Sequence, residues 1–362
     1  MFNIKKQLSK LYLSSIIGNL SLTGAWVAIL AARGFSLVEI GIAETVFHIT
    51  SIIFELPSGV MADVFGRKKM LMVSTVMQLI ATVIMIMSND LFMVCLSIAF
   101  HALTYNFASG TGDALAYDSM KLAKVESRFE NFESNQLIIY RLCSGISTLC
   151  AGFALAIGYR LAYGASLITG AMQLAVLYTL HEVNVAPKDS SRSTLNRIFS
   201  CFKESFIFLR SAKKALGLMF CNSLVGAADI LLLFFLQAKL PEKGIPQWGL
   251  GFALLFMEMG GIVGSKLILR FPKVGYRIIF AVTSSLVLAG VFAEHATSYI
   301  IMALGGFIAA VGDDALQVRT NAKLQNMFPS EQRATLTSVE SFSFSVIMIV
   351  LSPLAGFVFT YW

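Results

Sequence analysis

The amino-acid sequence predicts an all-α polytopic membrane protein. Of its 362 residues, 56% are hydrophobic and only 14% are charged, whereas about a quarter of the residues of a soluble domain are charged. The hydrophobic residues form uninterrupted runs of roughly 20 residues, the length that a helix needs to cross a bilayer. Most charged residues lie in the short connections between these runs. This pattern excludes a soluble globular domain.

Eleven hydrophobic runs are predicted to be membrane spans. They cover residues 8–32, 37–62, 69–88, 91–118, 134–158, 161–181, 214–239, 247–269, 277–294, 297–321 and 334–359. The first run follows several lysines, as in a signal peptide, but it is too long for the apolar core of a signal peptide, and many spans follow it. We therefore expect it to be retained as the first helix.

The basic residues predict the orientation of the chain. With a cytoplasmic N-terminus, 23 of the 28 Lys and Arg residues fall in cytoplasmic segments and only four in outer segments. The positive-inside rule therefore predicts a multi-pass protein of the inner (plasma) membrane with its N-terminus in the cytoplasm. The net charge of +7 is thus a sign of topology, and we do not expect binding to nucleic acid.

A long polar interval divides the spans into six and five. We predict an N-terminal six-helix bundle at 1–182, a basic cytoplasmic linker at 183–213 and a C-terminal bundle of five spans at 214–362. Five apolar residues of the linker recur at helical spacing: Leu195, Phe199, Phe202, Phe206 and Leu209. This spacing predicts an amphipathic helix on the membrane surface, and a disordered linker is the alternative.

A short charged turn separates the second and third runs. It reads Gly59-Val-Met-Ala-Asp63-Val-Phe-Gly66-Arg67-Lys68-Lys69 and resembles the loop motif of the major facilitator superfamily, G-x-x-x-D-x-x-G-R-[RK]-[RK]. The preceding residues, 54–58, are similar to those of bacterial drug-efflux members of that family. The resemblance implies the major facilitator fold, a monomer that transports a small molecule.

An internal repeat agrees with this fold. Gly112-Asp113-Ala114-Leu115 in the fourth run matches Asp313-Asp314-Ala315-Leu316 in the tenth, as expected for two six-helix pseudo-repeats. The chain stops at Trp362, where the sixth helix of the second repeat would begin, so the twelfth helix is predicted to be missing. A truncated sequence and a natural eleven-span protein are both consistent with this pattern.

Charged residues inside the runs are candidates for function, because charge in hydrocarbon is costly and usually faces protein or a water-filled cavity. The proton-coupling candidates are Glu44, His48, Asp113, Asp229 and Glu258. Polar groups that only stabilise helix packing are the alternative. The third, sixth and ninth runs carry no interior charge, and the resemblance implies that these helices are peripheral and face lipid.

The charged turn and the inner helix ends are predicted to form a gate. The gate candidates are Gly59, Asp63, Gly66, Arg67, Lys68, Asp118, Arg141, Asp314 and Glu340. We expect Arg67 to pair with Asp118 and Arg141 to pair with Asp113. We expect Asp63 to accept hydrogen bonds from the helix that begins near Arg333, and Gly59 to lie at a close contact between helices.

The candidate substrate-cavity residues are Asn19, Trp26, Tyr105 and Phe234. Aromatic rings together with acidic residues favour lipophilic or cationic compounds. We therefore predict proton-coupled efflux by alternating access. Proton-coupled uptake of a small metabolite is the alternative, because the fifth run lacks the proline of the efflux motif and the fourth lacks the family's R-x-x-Q-G pattern. No enzyme motif, nucleotide-binding loop or metal-ligand spacing is found, so neither catalysis nor a cofactor is expected.

Overall fold

The computed structural model describes residues 3–183, 213–325, 327 and 333–361. Apart from two short 3₁₀ turns, the regular elements in these ranges are α-helices. The first nine are α1 (Ile4–Asn19), α2 (Trp26–Ala32), α3 (Leu37–Phe65), α4 (Arg67–Met87), α5 (Leu91–Ala108), α6 (Thr111–Leu122), α7 (Phe129–Leu149), α8 (Ala151–Ile157) and α9 (Tyr159–Tyr178). They are followed by α10 (Lys213–Glu242), α11 (Gln247–Leu267), α12 (Tyr276–Ala293), α13 (Tyr299–Gln325) and α14 (Arg333–Tyr361). The predicted amphipathic helix of the linker lies outside the described residues.

Fewer helices of the described residues meet the length and hydropathy expected of a membrane span than the eleven that the sequence predicts. Within the described residues, nine helical segments are long and apolar enough to cross a membrane, or ten if the bent pair formed by α7 and α8 is one span. The consecutive helices α5 and α6 together count as one of these segments, Leu91–Leu122. The remaining predicted span, at residues 8–32, is divided between α1 and α2.

The division of the first run has a local cause in its polar residues. The Ser21 hydroxyl lies 2.7 Å from the Thr23 hydroxyl and accepts a hydrogen bond from the Thr23 backbone N–H. Hydroxyl groups that bond to nearby backbone compete with helical hydrogen bonding. The Ser147 hydroxyl accepts from the Ser21 N–H at 3.0 Å and donates to the Asn19 carbonyl at 3.3 Å. These bonds satisfy backbone groups that the interrupted helix leaves without partners.

The repeated motif has a different backbone in its two copies. In the first copy, Gly110 adopts φ +66° between α5 and α6, a conformation that glycine tolerates best. The corresponding residue of the second copy, Val311, lies inside the continuous helix α13. The sequence repeat therefore does not extend to the continuity of the helix.

The chain forms two compact units. Among the described residues, unit one contains 3–24, 46–147 and 158–183, and unit two contains 25–45, 148–157 and the residues from Lys213 onward. Two short segments of the N-terminal half thus belong to the same unit as α10 to α14. The predicted domain boundaries follow chain order alone and stay a prediction.

Unit one is built around α1, α4, α6 and α9, which pack together over a buried apolar cluster. Leu11, Leu115, Met120, Phe132 and Leu177 belong to this cluster, and each is at most 5% exposed. Next to it, the side-chain amide of Gln7 donates to the His181 carbonyl at 2.9 Å and accepts from the His181 N–H at 3.0 Å. The N-terminal turns of α1 are thereby bound to the chain that follows α9.

Unit two is held together by glycines at close backbone contacts. Gly260 and Gly264 of α11 lie directly against backbone carbonyls of α13. A glycine without a side chain allows two membrane helices to approach closely and to gain van der Waals contact. Glycines also allow close contact between the two short segments, 25–45 and 148–157, and the helices of this unit. Gly41 lies against Ser352, and Gly152 lies against Gln247.

Candidate functional site

Two acidic side chains of α13 lie against glycines of neighbouring helices in unit two. A Cβ added to Gly226 of α10 would lie 3.2 Å from the Asp313 Oδ1 atom. A Cβ added to Gly261 of α11 would overlap the Asp314 carboxylate. The two consecutive carboxylates of α13 therefore reach two different helices, α10 and α11.

A third acidic residue, Asp229, completes this group. Its side chain is buried, with 5% exposure, and its Oδ1 atom has no hydrogen-bond partner in the described structure. It lies three residues after Gly226 on α10 and interacts electrostatically with Asp313 and Asp314. We call Asp229, Asp313 and Asp314 the carboxylate cluster. Carboxylates this close repel one another when ionised, so the binding of a proton relieves the repulsion.

The other proton-coupling candidates do not join this cluster. Glu258 is exposed and accepts a hydrogen bond from the Thr148 hydroxyl at 3.1 Å. His48 is buried in unit one, where its ring lies edge-on to Phe47 at 5.3 Å. Glu44 is partly buried in unit two. Asp229 is the candidate that lies in the carboxylate cluster.

The predicted pair between Asp113 and Arg141 is not formed by the described residues. Arg141 is exposed, whereas Asp113 is partly buried and interacts electrostatically with Glu133. The pair was predicted because both residues lie at a similar depth along adjacent membrane runs. The rotation of α7 about its axis, however, presents Glu133 and not Arg141 to Asp113.

Glu340, another predicted gate residue, contacts α10. The Asn222 side-chain amide donates to the Glu340 Oε1 atom at 3.4 Å. This contact lies within unit two, and its role in a gate stays a prediction.

The charged turn contains the predicted ion pair. Arg67 and Asp118 form a salt bridge, and Arg67 also donates to the Ala114 carbonyl. Gly66 adopts φ +101°, which favours glycine at this turn. The side chain of Asp63 lies outside the described residues. Gly59 is exposed, and a Cβ added to it would meet none of the described atoms within 4 Å, so the described residues do not form the close contact predicted there.

Glu182 is a partner of this turn that the sequence did not reveal. Its carboxylate accepts hydrogen bonds from the backbone N–H groups of Lys68 and Lys69, at 3.1 and 3.3 Å. An anion is favourable at a helix N-terminus, and Gly66 has no side chain to cap α4. The Lys68 ammonium group donates to the Tyr178 carbonyl at 2.7 Å. No local pattern marks Glu182, because it follows α9 and lies far along the chain from its partners.

A polar cavity of about 320 Å³ lies inside unit one. Four of its lining residues carry side-chain amides: Asn19, Gln78, Gln136 and Gln173. Hydroxyl groups of α1, α4 and α5 also line it, with His101 and Tyr105. No Asp, Glu, Lys or Arg occurs among the described lining residues. We call this space the polar cavity.

Two of the four predicted cavity residues, Asn19 and Tyr105, line the polar cavity. The other two, Trp26 and Phe234, contact each other in unit two, with ring centroids 5.6 Å apart. Gln78 and Gln173, in the third and sixth runs, were not predicted as cavity residues. The prediction rested on charged and aromatic side chains, and glutamine is neither. A glutamine in the middle of an apolar run is the signal that would have found them.

Comparison with known proteins identifies relatives over most of the chain. The family model of the Major Facilitator Superfamily matches residues 11–353. An uncharacterised MFS-type transporter of Bacillus subtilis (strain 168), YxaM, is 24% identical over 331 residues, which cover 87% of this chain and 79% of YxaM.

Solved structures share the fold at low sequence identity. The nucleoside transporter NupG aligns with a TM-score of 0.72 at 15% identity, over 100% of this chain and 92% of that chain. A bacterial homologue of the human lysosomal transporter Spinster aligns with a TM-score of 0.73 at 16% identity, over 97% of this chain and 81% of that chain.

Proposed function

Because this chain belongs to the Major Facilitator Superfamily, it is a secondary transporter, and we propose that it couples the movement of a small molecule to that of protons by alternating access. The family and the transporter neighbours point to a transporter and not to an enzyme. The proposal therefore concerns the coupling, the substrate and the direction of transport.

The carboxylate cluster is the observation that supports proton coupling. Asp229 is buried with one unpartnered oxygen atom and lies close to two further carboxylates. Ionisation of the whole cluster in a low-dielectric environment is costly, whereas a bound proton lowers that cost. Loading and release of this proton would change the charge of the helix bundle by one unit in each cycle. In this proposal Asp229 is the proton-binding residue, and Asp313 and Asp314 set its proton affinity.

Two directions of coupled transport are supported by different features. Efflux of lipophilic or cationic compounds is supported by the efflux-like residues 54–58 and by the occurrence of aromatic as well as acidic residues in the hydrophobic runs. Uptake of a small polar metabolite by symport is supported by the polar cavity, which lacks described charged residues. NupG, by its name, transports nucleosides, so a polar substrate is compatible with this fold.

Proton flux in proteoliposomes separates these possibilities. The purified protein is reconstituted with a pH-sensitive dye inside the vesicles, and a gradient of each candidate compound is applied. Proton movement with the compound indicates symport, and movement against it indicates antiport. Compound flux that moves no protons under any gradient would contradict the coupling.

Asp229→Asn is the direct test of the proton-binding residue. We expect it to abolish substrate-dependent proton movement while the compound still binds, because asparagine has similar volume but does not carry an exchangeable acidic proton. Glu126→Gln, at an exposed position of unit one, is the control and should behave as the wild type. Unchanged proton movement in Asp229→Asn would exclude Asp229 from coupling.

A further inference from the structure

The connection between α11 and α12 is basic and free of acidic residues. No Asp or Glu occurs between Glu258 and Glu294. Four basic residues lie in the last turn of α11, in the connection and in the first turn of α12: Lys266, Arg270, Lys273 and Arg277. All four are exposed, and none forms an ion pair with a described residue. We call these four residues the basic patch.

The corresponding turn of the first repeat differs, because an acidic residue balances its arginine within the protein. Gly66 precedes α4, and Gly275 precedes α12. Arg67, the first residue of α4, forms a salt bridge with Asp118. Asp118 lies three residues after the first copy of the repeated motif, and Arg319 lies three residues after the second copy. A basic residue thus occupies the position at which the first copy has the acidic partner.

Hydrogen bonds to carbonyl and hydroxyl groups hold the turn of the second repeat. Arg319 donates to three backbone carbonyls of this turn at 2.8–3.3 Å, those of Ile268, Phe271 and Pro272. The Tyr276 hydroxyl, at the start of α12, lies 3.0 Å from the Thr320 hydroxyl of α13. On α13 the nearest acidic residue is Asp314, about 7.5 Å from Arg319 along the helix axis. The turn is therefore fixed against α13, and its basic residues are not paired with a described carboxylate.

The basic patch lies where two membrane spans end. The segments Gln247–Arg270 and Tyr276–Ala293 are each long and apolar enough to cross a membrane, so the residues between them lie at the membrane boundary. Three apolar side chains next to the basic ones are 49–62% exposed: Leu269, Phe271 and Ile278. At this boundary apolar side chains face acyl chains, whereas long basic side chains reach the headgroups. The surface therefore offers the two kinds of contact that a phospholipid needs.

From these observations we propose that the basic patch binds the phosphate headgroup of an anionic phospholipid, whose acyl chains lie against the neighbouring exposed apolar side chains. The lipid supplies at this turn the negative charge that Asp118 supplies in the first repeat. Basic clusters next to a membrane span attract anionic lipids in this way.

Membrane topology alone does not account for the basic patch. A basic loop directs the orientation of a span, and acidic residues contribute little to that effect. The turn of the first repeat, in which Arg67 is paired with Asp118, therefore serves topology equally well. The absence of acidic residues around the basic patch is an additional property, and it favours a bound anion.

Quenching of a single tryptophan by brominated lipids tests this binding. Trp26, Trp248 and Trp362 are replaced by phenylalanine, and Phe271→Trp introduces a reporter beside the basic patch. The full-length chain is reconstituted in phosphatidylcholine bilayers with brominated phosphatidylglycerol or brominated phosphatidylcholine at equal mole fraction. We expect the anionic lipid to bind at the reporter about fivefold or more tightly than phosphatidylcholine. Equal quenching by the two lipids would overturn the proposal.

Paired variants locate the lipid at the basic patch. Arg270→Gln combined with Lys273→Gln should remove most of the preference for the anionic lipid. Arg270→Lys combined with Lys273→Arg should retain the preference, because both charges are kept. The matched control, Lys121→Gln combined with Arg128→Gln, removes two exposed basic residues of unit one and should also retain it. The proposal is wrong if the first pair keeps the full preference, or if the charge-retaining pair or the control loses it equally.

Inorganic phosphate distinguishes a lipid headgroup from a free anion. Phosphate at millimolar concentration, compared with chloride at equal ionic strength, should leave the preference for brominated phosphatidylglycerol unchanged. Loss of the preference in phosphate would show that the basic patch binds a free anion and not a lipid. The lipid preference is measured without a transported compound, so it can hold even where proton movement in proteoliposomes contradicts the proposed coupling.

Discussion

Arg67 and Asp118 form an ion pair that is largely shielded from water. Asp118 is 8% exposed, and Arg67 makes a second hydrogen bond to the Ala114 carbonyl. The two bonds join the first turn of α4 to α6. When one partner of such a pair is removed, the remaining charge is left uncompensated, which costs about 3–5 kcal/mol.

Arg67→Ala should therefore destabilise the protein by about 3 kcal/mol, whereas Asp118→Asn should cost less because the amide oxygen still accepts a hydrogen bond from Arg67. Unfolding in detergent, followed by intrinsic fluorescence, measures both. Lys121→Ala on α6, at an exposed position, should leave stability unchanged. If Arg67→Ala unfolds at the wild-type temperature, the pair contributes no stability, and the turn is held by Glu182 and Gly66 instead.

At the scale of elements, glycine contacts connect distant parts of unit two. Gly41 and Leu37 on α3 meet Ser352 and Gly356 on α14, and the Thr45 hydroxyl donates to the Ile349 carbonyl at 3.1 Å in the same region. In a bilayer, apolar burial does not drive helix association, so close backbone contact and hydrogen bonds must do so. A side chain at these glycines would force the two helices apart.

Gly356→Ala should lower stability by about 1–3 kcal/mol, as expected for overpacking, because its Cβ would overlap the Leu37 carbonyl. Gly217→Ala on α10 is the matched control, because none of the described atoms would lie within 4 Å of its Cβ. It should be neutral or stabilising by about 0.5–1 kcal/mol, because alanine favours helix more than glycine. Equal melting temperatures for the two variants would show that α3 and α14 are not held by this contact.

At the scale of the whole molecule, the charge distribution predicts how the chain is oriented in the membrane. The predicted outer segments hold four basic residues, Arg33, Arg160, Lys239 and Lys243, whereas cytoplasmic segments hold 23. Such a bias fixes the topology of a multi-pass protein. The cytoplasmic N-terminus and the inner-membrane location remain predictions.

Labelling with a membrane-impermeant maleimide tests this orientation in intact cells. In a variant that lacks the five native cysteines, Lys243→Cys should be labelled from outside, and Lys121→Cys should be labelled only after the membrane is permeabilised. Both positions are exposed. The opposite pattern would mean that the chain is inverted.

The sequence by itself determined the class of the protein and its family. Runs of apolar residues must form helices in a bilayer, because the backbone polar groups have no other partners there, and the charged turn identified the superfamily that the match over residues 11–353 confirms. It also predicted the ion pair of Arg67 and Asp118, because both residues lie at the same inner ends of neighbouring helices.

Apart from that ion pair, only the tertiary structure decided which polar groups meet. Asp229 joins Asp313 and Asp314 through the rotation of α10 and α13 about their axes, and that rotation depends on glycine contacts between residues far apart in the sequence. In unit one, helix packing likewise left Arg141 exposed and placed neutral glutamines around a cavity. The apolar composition of a segment determines that it lies in the membrane. The packing of its surface against neighbouring helices determines where its polar side chains point.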